Sequence, residues 1–180
     1  ASGPFEAGGA LFYTSIEDIA AVLPRSGARG ALSDLESRGF DGYLRYTGGR
    51  GFAALNWTYA DVELNGAQIG TTAYYLGRPV GHIIALEAGY DVTPEFRIGG
   101  TAEFALTNDD GPTELPSYEV MNAYASYKPA RADGLEIRFD VHNLFDTTYV
   151  RRSSDGLGLG NVVALNEPGR SFSLTASYRF

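Results

Sequence analysis

The chain has no cysteine and few basic residues, and each shortage excludes a class of protein. Without cysteine, no disulfide, thiolate ligand or zinc finger can form. Lysine and arginine number 14 against 22 aspartates and glutamates, which gives a net charge of −8. Because a nucleic-acid-binding protein needs a basic surface, we expect no nucleic-acid partner.

Long hydrophobic runs are also missing. No apolar stretch approaches the roughly eighteen residues of a transmembrane helix, so a helical span is excluded. Insertion as strands stays open, because a barrel strand buries only alternate residues in lipid. The first six residues have neither the basic nor the apolar region of a secretory signal peptide. We therefore expect either a mature protein or, as we favour, a piece of a longer one.

Glycine, aromatic residues and strict alternation are abundant. The chain contains 23 glycines, 12 tyrosines and 10 phenylalanines, as expected of strands joined by tight turns and flanked by aromatic girdles. Apolar and polar residues alternate over 135–142 and over 170–180. A period of two predicts strands with one apolar and one wet face. About ten residues is also the length of a tilted transmembrane strand.

The same pattern predicts an all-β, antiparallel fold of eight strands. They lie at about 8–16, 35–47, 51–64, 80–92, 95–107, 118–128, 135–144 and 170–180. The connections between them alternate between short (48–50, 92–95, 129–134) and long (17–34, 65–79, 108–117, 145–169). Long loops at one end are typical of an outer-membrane barrel whose long loops lie outside the cell. This topology places the C-terminus in the periplasm.

One face of these strands carries charges of both signs, and the other is apolar and predicted to contact lipid. The charged face, a predicted lumenal wall, comprises Arg45, Glu87, Arg97, Glu103, Glu136, Arg138, Asp140, His142 and Arg179. Eight strands can close as a small barrel filled by side chains, as in an adhesin or a structural anchor. Mixed charges suit the wall of a wide barrel around a polar plug. The alternation by itself leaves both architectures open.

Short motifs near the C-terminus stand in a fixed order. They are Asn143, Leu144, Phe145 and Asp146 with Tyr149 behind them, then Pro168, Gly169 and Arg170, then an alternating strand that ends at Phe180. In this order, ending on the last residue, they resemble the C-terminal end of a TonB-dependent outer-membrane receptor. The motifs cover about the last quarter of the chain, and the spacing of strands extends the resemblance to most of it.

The resemblance implies an active transporter in the outer membrane of a Gram-negative bacterium. Such receptors have about twenty-two strands around a plug, so residues 1–180 would form the C-terminal barrel segment, without the plug domain. The TonB–ExbB–ExbD complex would act through an N-terminal part missing from this sequence, and lipid and lipopolysaccharide would surround the barrel. The cargo would be an iron complex, and residues 125–129 together with the motifs favour haem over a ferric siderophore. We expect no covalently bound cofactor and no metal site.

Two groups of residues are predicted to contact cargo. They are Tyr74, Tyr75, Arg78 and His82 around the start of the fourth strand, and Tyr149, Arg151 and Arg152 in the last long loop. Imidazole and phenolate are iron ligands, and tyrosines beside arginine suit a flat, anionic ligand such as haem. The alternatives are an aromatic girdle with a polar rim residue for the first group and a solvated loop for the second.

One pair of residues suggests an enzyme instead. His142 and Asp140 share a face, as a base and its orienting carboxylate do in hydrolases. The sequence has no Gly-x-Ser-x-Gly, so an outer-membrane hydrolase is the weaker alternative and we predict no enzyme. Asp109-Asp110-Gly111 is half a calcium site at best. The alternating glycines at 156–160 follow no strand, which excludes a dinucleotide-binding loop.

Overall fold

The computed structural model describes residues 3–22, 29–70, 76–109, 111–112, 114–152 and 165–180, with only the backbone for 21–22 and 29–32. These residues form one antiparallel sheet of nine strands. The strands are β1 (Phe5–Val22), β2 (Arg29–Gly48), β3 (Gly51–Leu64), β4 (Ala67–Gln68), β5 (Gly81–Asp91), β6 (Phe96–Ala105), β7 (Tyr118–Tyr127), β8 (Leu135–His142) and β9 (Ser171–Tyr178). Within the same ranges, no helix is long and apolar enough to cross a membrane.

The sheet is an up-and-down meander. Its order is β1-β2-β3-β5-β6-β7-β8-β9, with the short β4 paired to β3 as a hairpin. Apart from the short β4, strands adjacent in sequence are adjacent in space, which confirms the all-β, antiparallel prediction. In the described part of the chain, β1 and β9 are the two edges and the sheet does not close. A closed eight-stranded barrel is thus not what the structure shows.

The first two strands are longer than predicted. The ladder between β1 and β2 continues beyond Ile16 and Leu35 to Val22 and Arg29, so much of 17–34 is strand and not loop. The register shifts between Ile16 and Ile19, where Asp18 takes a positive φ of 55°. A bulge of this kind moves later side chains out of phase. The alternation therefore stops in the sequence although pairing continues.

The remaining boundaries differ from the predictions by smaller amounts. β3 spans the predicted 51–64, whereas β5, β6 and β7 are each one or two residues shorter at an end. β8 ends at His142 instead of 144, because Asn143 adopts φ 50° and turns the chain out of the ladder. β9 spans Ser171–Tyr178 instead of 170–180. β4 lies inside the predicted loop 65–79, after a turn with positive φ at Asn65 and Gly66 that suits a two-residue hairpin.

Register divides the sheet into two faces. Facing pairs such as Leu55 with Leu86 and Phe139 with Leu174 build an apolar face, on which Leu174 is 73% exposed. Pairs such as Asp140 with Ser173 build the opposite, polar face. We call the end with the short connections 49–50, 92–95 and 128–134 the turn end, and the opposite end the loop end. Such a sheet cannot bury its apolar face within itself, so that face needs a nonpolar environment.

Buried side chains collect at the loop end on the polar face. One cluster contains Leu35, Val62 and Ile69, and it packs under the extended ends of β2 and β3. Another contains Ala105, Tyr118, Val120 and Tyr149, with Ile83 against it. The second cluster joins the last long connection to β5, β6 and β7. It forms one wall of the cavity described below.

A glycine pair lets an aromatic ring lie flat on the polar face near the turn end. Gly89 faces Gly99 across β5 and β6; the Tyr124 ring lies over Gly99, and its hydroxyl reaches Gly89 beside the ring of Phe52. A Cβ added at Gly99 would lie 2.5 Å from Cζ of Tyr124 and 2.6 Å from the carbonyl oxygen of Ala88. The guanidinium of Arg138 lies 3.8 Å from the centre of the same ring, a cation–π distance.

Candidate functional site

A cavity of about 310 Å³ opens at the loop end, on the polar face of the sheet. It is lined by Arg78, Val80, Ile83, Glu103, Tyr118, Arg151 and Arg152. Three of the residues predicted to contact cargo, Arg78, Arg151 and Arg152, are therefore neighbours here. They come from two connections that are far apart in the sequence.

The wall behind these arginines is aromatic and hydrogen-bonded. The Tyr118 hydroxyl donates to Oε1 of Glu103 at 2.7 Å. Ring centres of Tyr118 and Tyr149 lie 4.9 Å apart, and Tyr149 is only 8% exposed. Tyr149, also predicted to contact cargo, thus anchors the loop against β7 and supports the cavity from behind.

The C-terminal motif explains how the last loop reaches this wall. The buried side chain of Asn143 donates through Nδ2 to the carbonyl oxygens of Thr147, at 2.8 Å, and of Pro168, at 3.2 Å. Its Oδ1 accepts from the Thr147 backbone N–H at 2.8 Å. The outgoing and returning ends of the loop are therefore tied together by one side chain. We call this set of contacts the Asn143 clip.

The second half of the motif joins the two ends of the loop at a further point, beside the Asn143 clip. Oδ1 of Asp146 accepts from the Arg170 backbone N–H at 2.7 Å. A Cβ at Gly169 would lie 2.8 Å from the same oxygen, so a larger residue there would displace the Asp146 carboxylate. The Leu144 backbone N–H donates to the carbonyl oxygen of Met121, which fixes the loop to β7. The motif residues therefore have a structural role at the base of the loop.

The two loop arginines of the cavity differ in burial. Arg152 is 5% exposed and donates to the carbonyl oxygen of Leu106, which pins the loop to the end of β6. Arg151 is more accessible, and its Nε lies 3.9 Å from Oε2 of Glu167. The pKa of Arg151 is raised, first by its hydrogen bond to Tyr149; burial opposes this, and the charges of Glu103 and Glu167 add to it. Arg151 therefore stays cationic at any physiological pH.

His82 lies on the opposite face of the sheet from the cavity, and its contact with cargo stays a prediction. It pairs in register with Tyr59, its ring centre lies 4.5 Å from that of Tyr59, and its Nδ1 accepts from Nε1 of Trp57 at 3.2 Å. Its position two residues before Ile84 gives it the same apolar orientation. His82 belongs to an aromatic belt at the loop end. Tyr74 and Tyr75, predicted with it, lie outside the described residues.

The proposed hydrolase pair is not formed. Asp140 accepts from Nε of Arg138 at 2.8 Å, so its carboxylate is engaged along the strand. His142 stands opposite Ser171 in the ladder and is exposed. The base therefore has no orienting contact from Asp140, which a hydrolase site requires.

The other predicted wall residues follow the polar face toward the turn end. Arg45 faces Glu6, Glu87 faces Thr101, and Arg97 faces both Asp91 and Ser126. Arg179 lies just beyond β9, where its N–H donates to the carbonyl oxygen of Gly134.

A larger cavity of about 680 Å³ lies among charges at the turn end. Its lining includes Asp91, Arg97, Glu136 and Arg138. Arg97 holds Asp91 with two hydrogen bonds of 2.6 and 2.9 Å. Lys128 lies 3.5 Å from Glu136. These paired charges make the polar face hydrophilic at the turn end.

Tyr118, Val80 and Ile83 also line the loop-end cavity but were not predicted as part of a site. Ile83 alternates with the apolar Ile84, so its place on the polar face could have been found from strand parity. Tyr118 is brought beside Glu103 by the pairing of β6 with β7. That register is not visible in either strand by itself.

Comparison with known proteins decides the family. The family model described as "TonB dependent receptor-like, beta-barrel" matches residues 2–144. The chain belongs to the TonB-dependent receptor family. This match confirms the resemblance seen in the C-terminal motif, and most of that motif lies outside the matched residues. Members of this family are receptors and transporters of the Gram-negative outer membrane.

A curated relative matches nearly the whole of this chain. The heme transporter BhuA of Brucella abortus (strain 2308) is 28% identical over 189 residues, covering 98% of the chain. The chain spans 28% of the length of that relative.

Two solved structures show the same fold. The FrpB iron transporter from Neisseria meningitidis (F5-1 variant, apoprotein) superposes with a TM-score of 0.79 at 20% identity, over 100% of this chain and 30% of that one. The ferric-catecholate import receptor Fiu from E. coli K12 gives 0.71 at 21%, over 98% and 25%. At these identities the likeness is one of fold.

Proposed function

We propose that this chain is the C-terminal barrel wall of an outer-membrane receptor that imports an iron complex, with haem favoured over a ferric siderophore. The observation that carries the proposal is the loop-end cavity, where Arg78, Arg151 and Arg152 meet on the polar face. In a barrel of this family that face lines the lumen. The loop end would open to the outside of the cell. The cavity then lies where cargo enters.

Haem is favoured because it is a flat anion and because BhuA, which matches nearly the whole chain, is named as a heme transporter. FrpB and Fiu, named for iron and for ferric catecholate, keep the siderophore as the competing cargo. The protein would act as a transporter and not as an enzyme. The engaged carboxylate of Asp140 supports this assignment.

The partners follow from the same proposal. The TonB–ExbB–ExbD complex would supply energy through a part of the protein outside this chain. Lipid and lipopolysaccharide would cover the apolar face. Its belt of Phe40, Trp57, Tyr59 and His82 at the loop end suits a membrane interface, where amphipathic rings accumulate.

Growth on defined iron sources tests the proposal. The full-length receptor is expressed in a Gram-negative strain that lacks its own haem receptors, with haem or a ferric catecholate as the sole iron source. We expect growth on haem that disappears when tonB is deleted. Growth on the catecholate but not on haem would transfer the cargo to siderophores. Growth on haem that is independent of TonB would contradict active transport.

A further inference from the structure

We propose that the loop-end cavity binds a carboxylate arm of the cargo, and that in haem this arm is a propionate. The inference rests on the proposed function and goes one step further. It assigns recognition at this site to the charged edge of the cargo and not to its metal or its ring.

The charge of the cavity supports this assignment. Its lining contains three arginines and one carboxylate, that of Glu103. A guanidinium presents a planar fork of N–H donors that matches the two oxygens of a carboxylate. Glu167, whose Oε2 lies 3.9 Å from Nε of Arg151, stands beside the cavity and is not among its lining residues. The cavity therefore favours an anion.

Two of the three arginines are held by hydrogen bonds within the protein. Arg152 is only 5% exposed, and its guanidinium donates a hydrogen bond to the carbonyl oxygen of Leu106 at the end of β6. Arg151 is hydrogen-bonded to Tyr149, which packs on Tyr118. Charges held in partly buried positions are screened less by salt than charges on free surfaces. Little side-chain ordering then remains to oppose binding.

The size of the cavity indicates that it takes part of the cargo. About 310 Å³ is at the lower end of the range of about 300–1,000 Å³ for sites that enclose a drug-sized ligand. A short carboxylate arm fits this space, with its methylene groups against Val80 and Ile83. A larger flat ring would stay at the mouth.

Substituting Glu103 tests the inference independently, because its expected effect on affinity is opposite to that of substituting Arg151. Its carboxylate accepts from Tyr118 and lowers the positive charge of the cavity. Glu103→Gln keeps an oxygen for that hydrogen bond but removes the negative charge. An anionic arm should then bind more tightly, whereas removing the charge of Arg151 should weaken it.

The experiment compares haem with its dimethyl ester on the purified full-length receptor. The two probes share ring and iron, and esterification removes both carboxylate charges. Dissociation constants are measured by titration of the ring absorbance at low salt. We expect the ester to bind at least about tenfold more weakly, since a hydrogen bond to a charged group contributes roughly one to two decades in affinity.

Variants then locate the effect. Arg151→Gln, at a side chain that is 49% exposed, should weaken haem binding about tenfold or more and leave binding of the ester unchanged. Glu103→Gln should tighten haem and leave the ester unchanged. Arg131→Gln, an exposed arginine of the turn 129–134, is the matched control and should change neither constant.

The outcomes separate this inference from the proposed function. Equal affinity for haem and its ester, or variants that change both probes alike, would overturn the carboxylate site while leaving haem as cargo. Binding of neither probe would overturn the haem assignment itself, and the propionate site with it.

Discussion

Replacing Asn143 by alanine should remove the hydrogen bonds that hold the two ends of the last loop together and so lower the stability of the protein. The side chain is 3% exposed and makes three hydrogen bonds, two to Thr147 and one to Pro168. Its backbone sits at φ 50°, a left-handed conformation that asparagine tolerates and alanine does not. Asn143→Ala therefore removes the clip and strains the chain at once.

The magnitude follows from these contacts. Each net hydrogen bond contributes about 0.5–1.5 kcal/mol, and the left-handed conformation costs a residue with a Cβ about 1–2 kcal/mol. Water recovers part of the lost bonding at the loop base. We expect Asn143→Ala to lower the free energy of unfolding by about 2–4 kcal/mol.

Asn143→Gly separates the two contributions, because glycine accepts the positive φ without strain. It should cost about 1 kcal/mol less than alanine. Urea titration of the receptor refolded in lipid vesicles, followed by tryptophan fluorescence and by the heat-dependent gel shift of folded barrels, measures both variants. A loss below about 0.5 kcal/mol for Asn143→Ala would refute the clip. Equal losses for the two variants would refute the strain argument.

Further substitutions test the two faces and the glycine pair. Leu174→Arg puts a charge on the apolar face and should lower the stability of the folded barrel by about 2–4 kcal/mol near mid-membrane. Ser173→Arg, one residue away and opposite Asp140 on the polar face, should assemble normally. Equal yields of folded barrel on a heat-modifiability gel would contradict the assignment of faces. Gly99→Ala forces its Cβ to 2.5 Å from Tyr124 and should cost about 1–3 kcal/mol in thermal unfolding. Gly42→Ala, with its nearest atom 3.9 Å away, is the control, and a similar loss for both would show that packing is not the cause.

Strand positions follow from the sequence where alternation and turns coincide. β3 was predicted at 51–64 because paired glycines mark its start and Leu55, Trp57 and Tyr59 alternate with Asn56 and Thr58. β1 and β2 were predicted too short because the bulge at Asp18 breaks that parity while backbone pairing continues. Backbone hydrogen bonds between strands do not depend on the alternation of apolar and polar side chains. The alternation therefore could not predict that β1 and β2 continue to pair beyond the bulge.

The cavity could be predicted only in part. Arg78, Arg151 and Arg152 were singled out by residue type, and that they contact cargo stays a prediction. Their meeting at one place depends on the Asn143 clip and on the register of β6 with β7, which are long-range features. His82 lies on the apolar face, as its parity with Ile84 indicates, and that it contacts cargo likewise stays a prediction.

The orientation of the sheet is the central claim of this account, and cysteine labelling on intact cells tests it directly. The chain itself contains no cysteine, so single cysteines report defined positions, with the unsubstituted receptor as background. Glu114→Cys lies in an exposed loop-end connection, and Asp133→Cys lies in an exposed turn at the other end. We predict that a membrane-impermeant maleimide labels Glu114→Cys on intact cells and labels Asp133→Cys only after the outer membrane is opened. Labelling of Asp133→Cys on intact cells, with Glu114→Cys protected, would contradict the account.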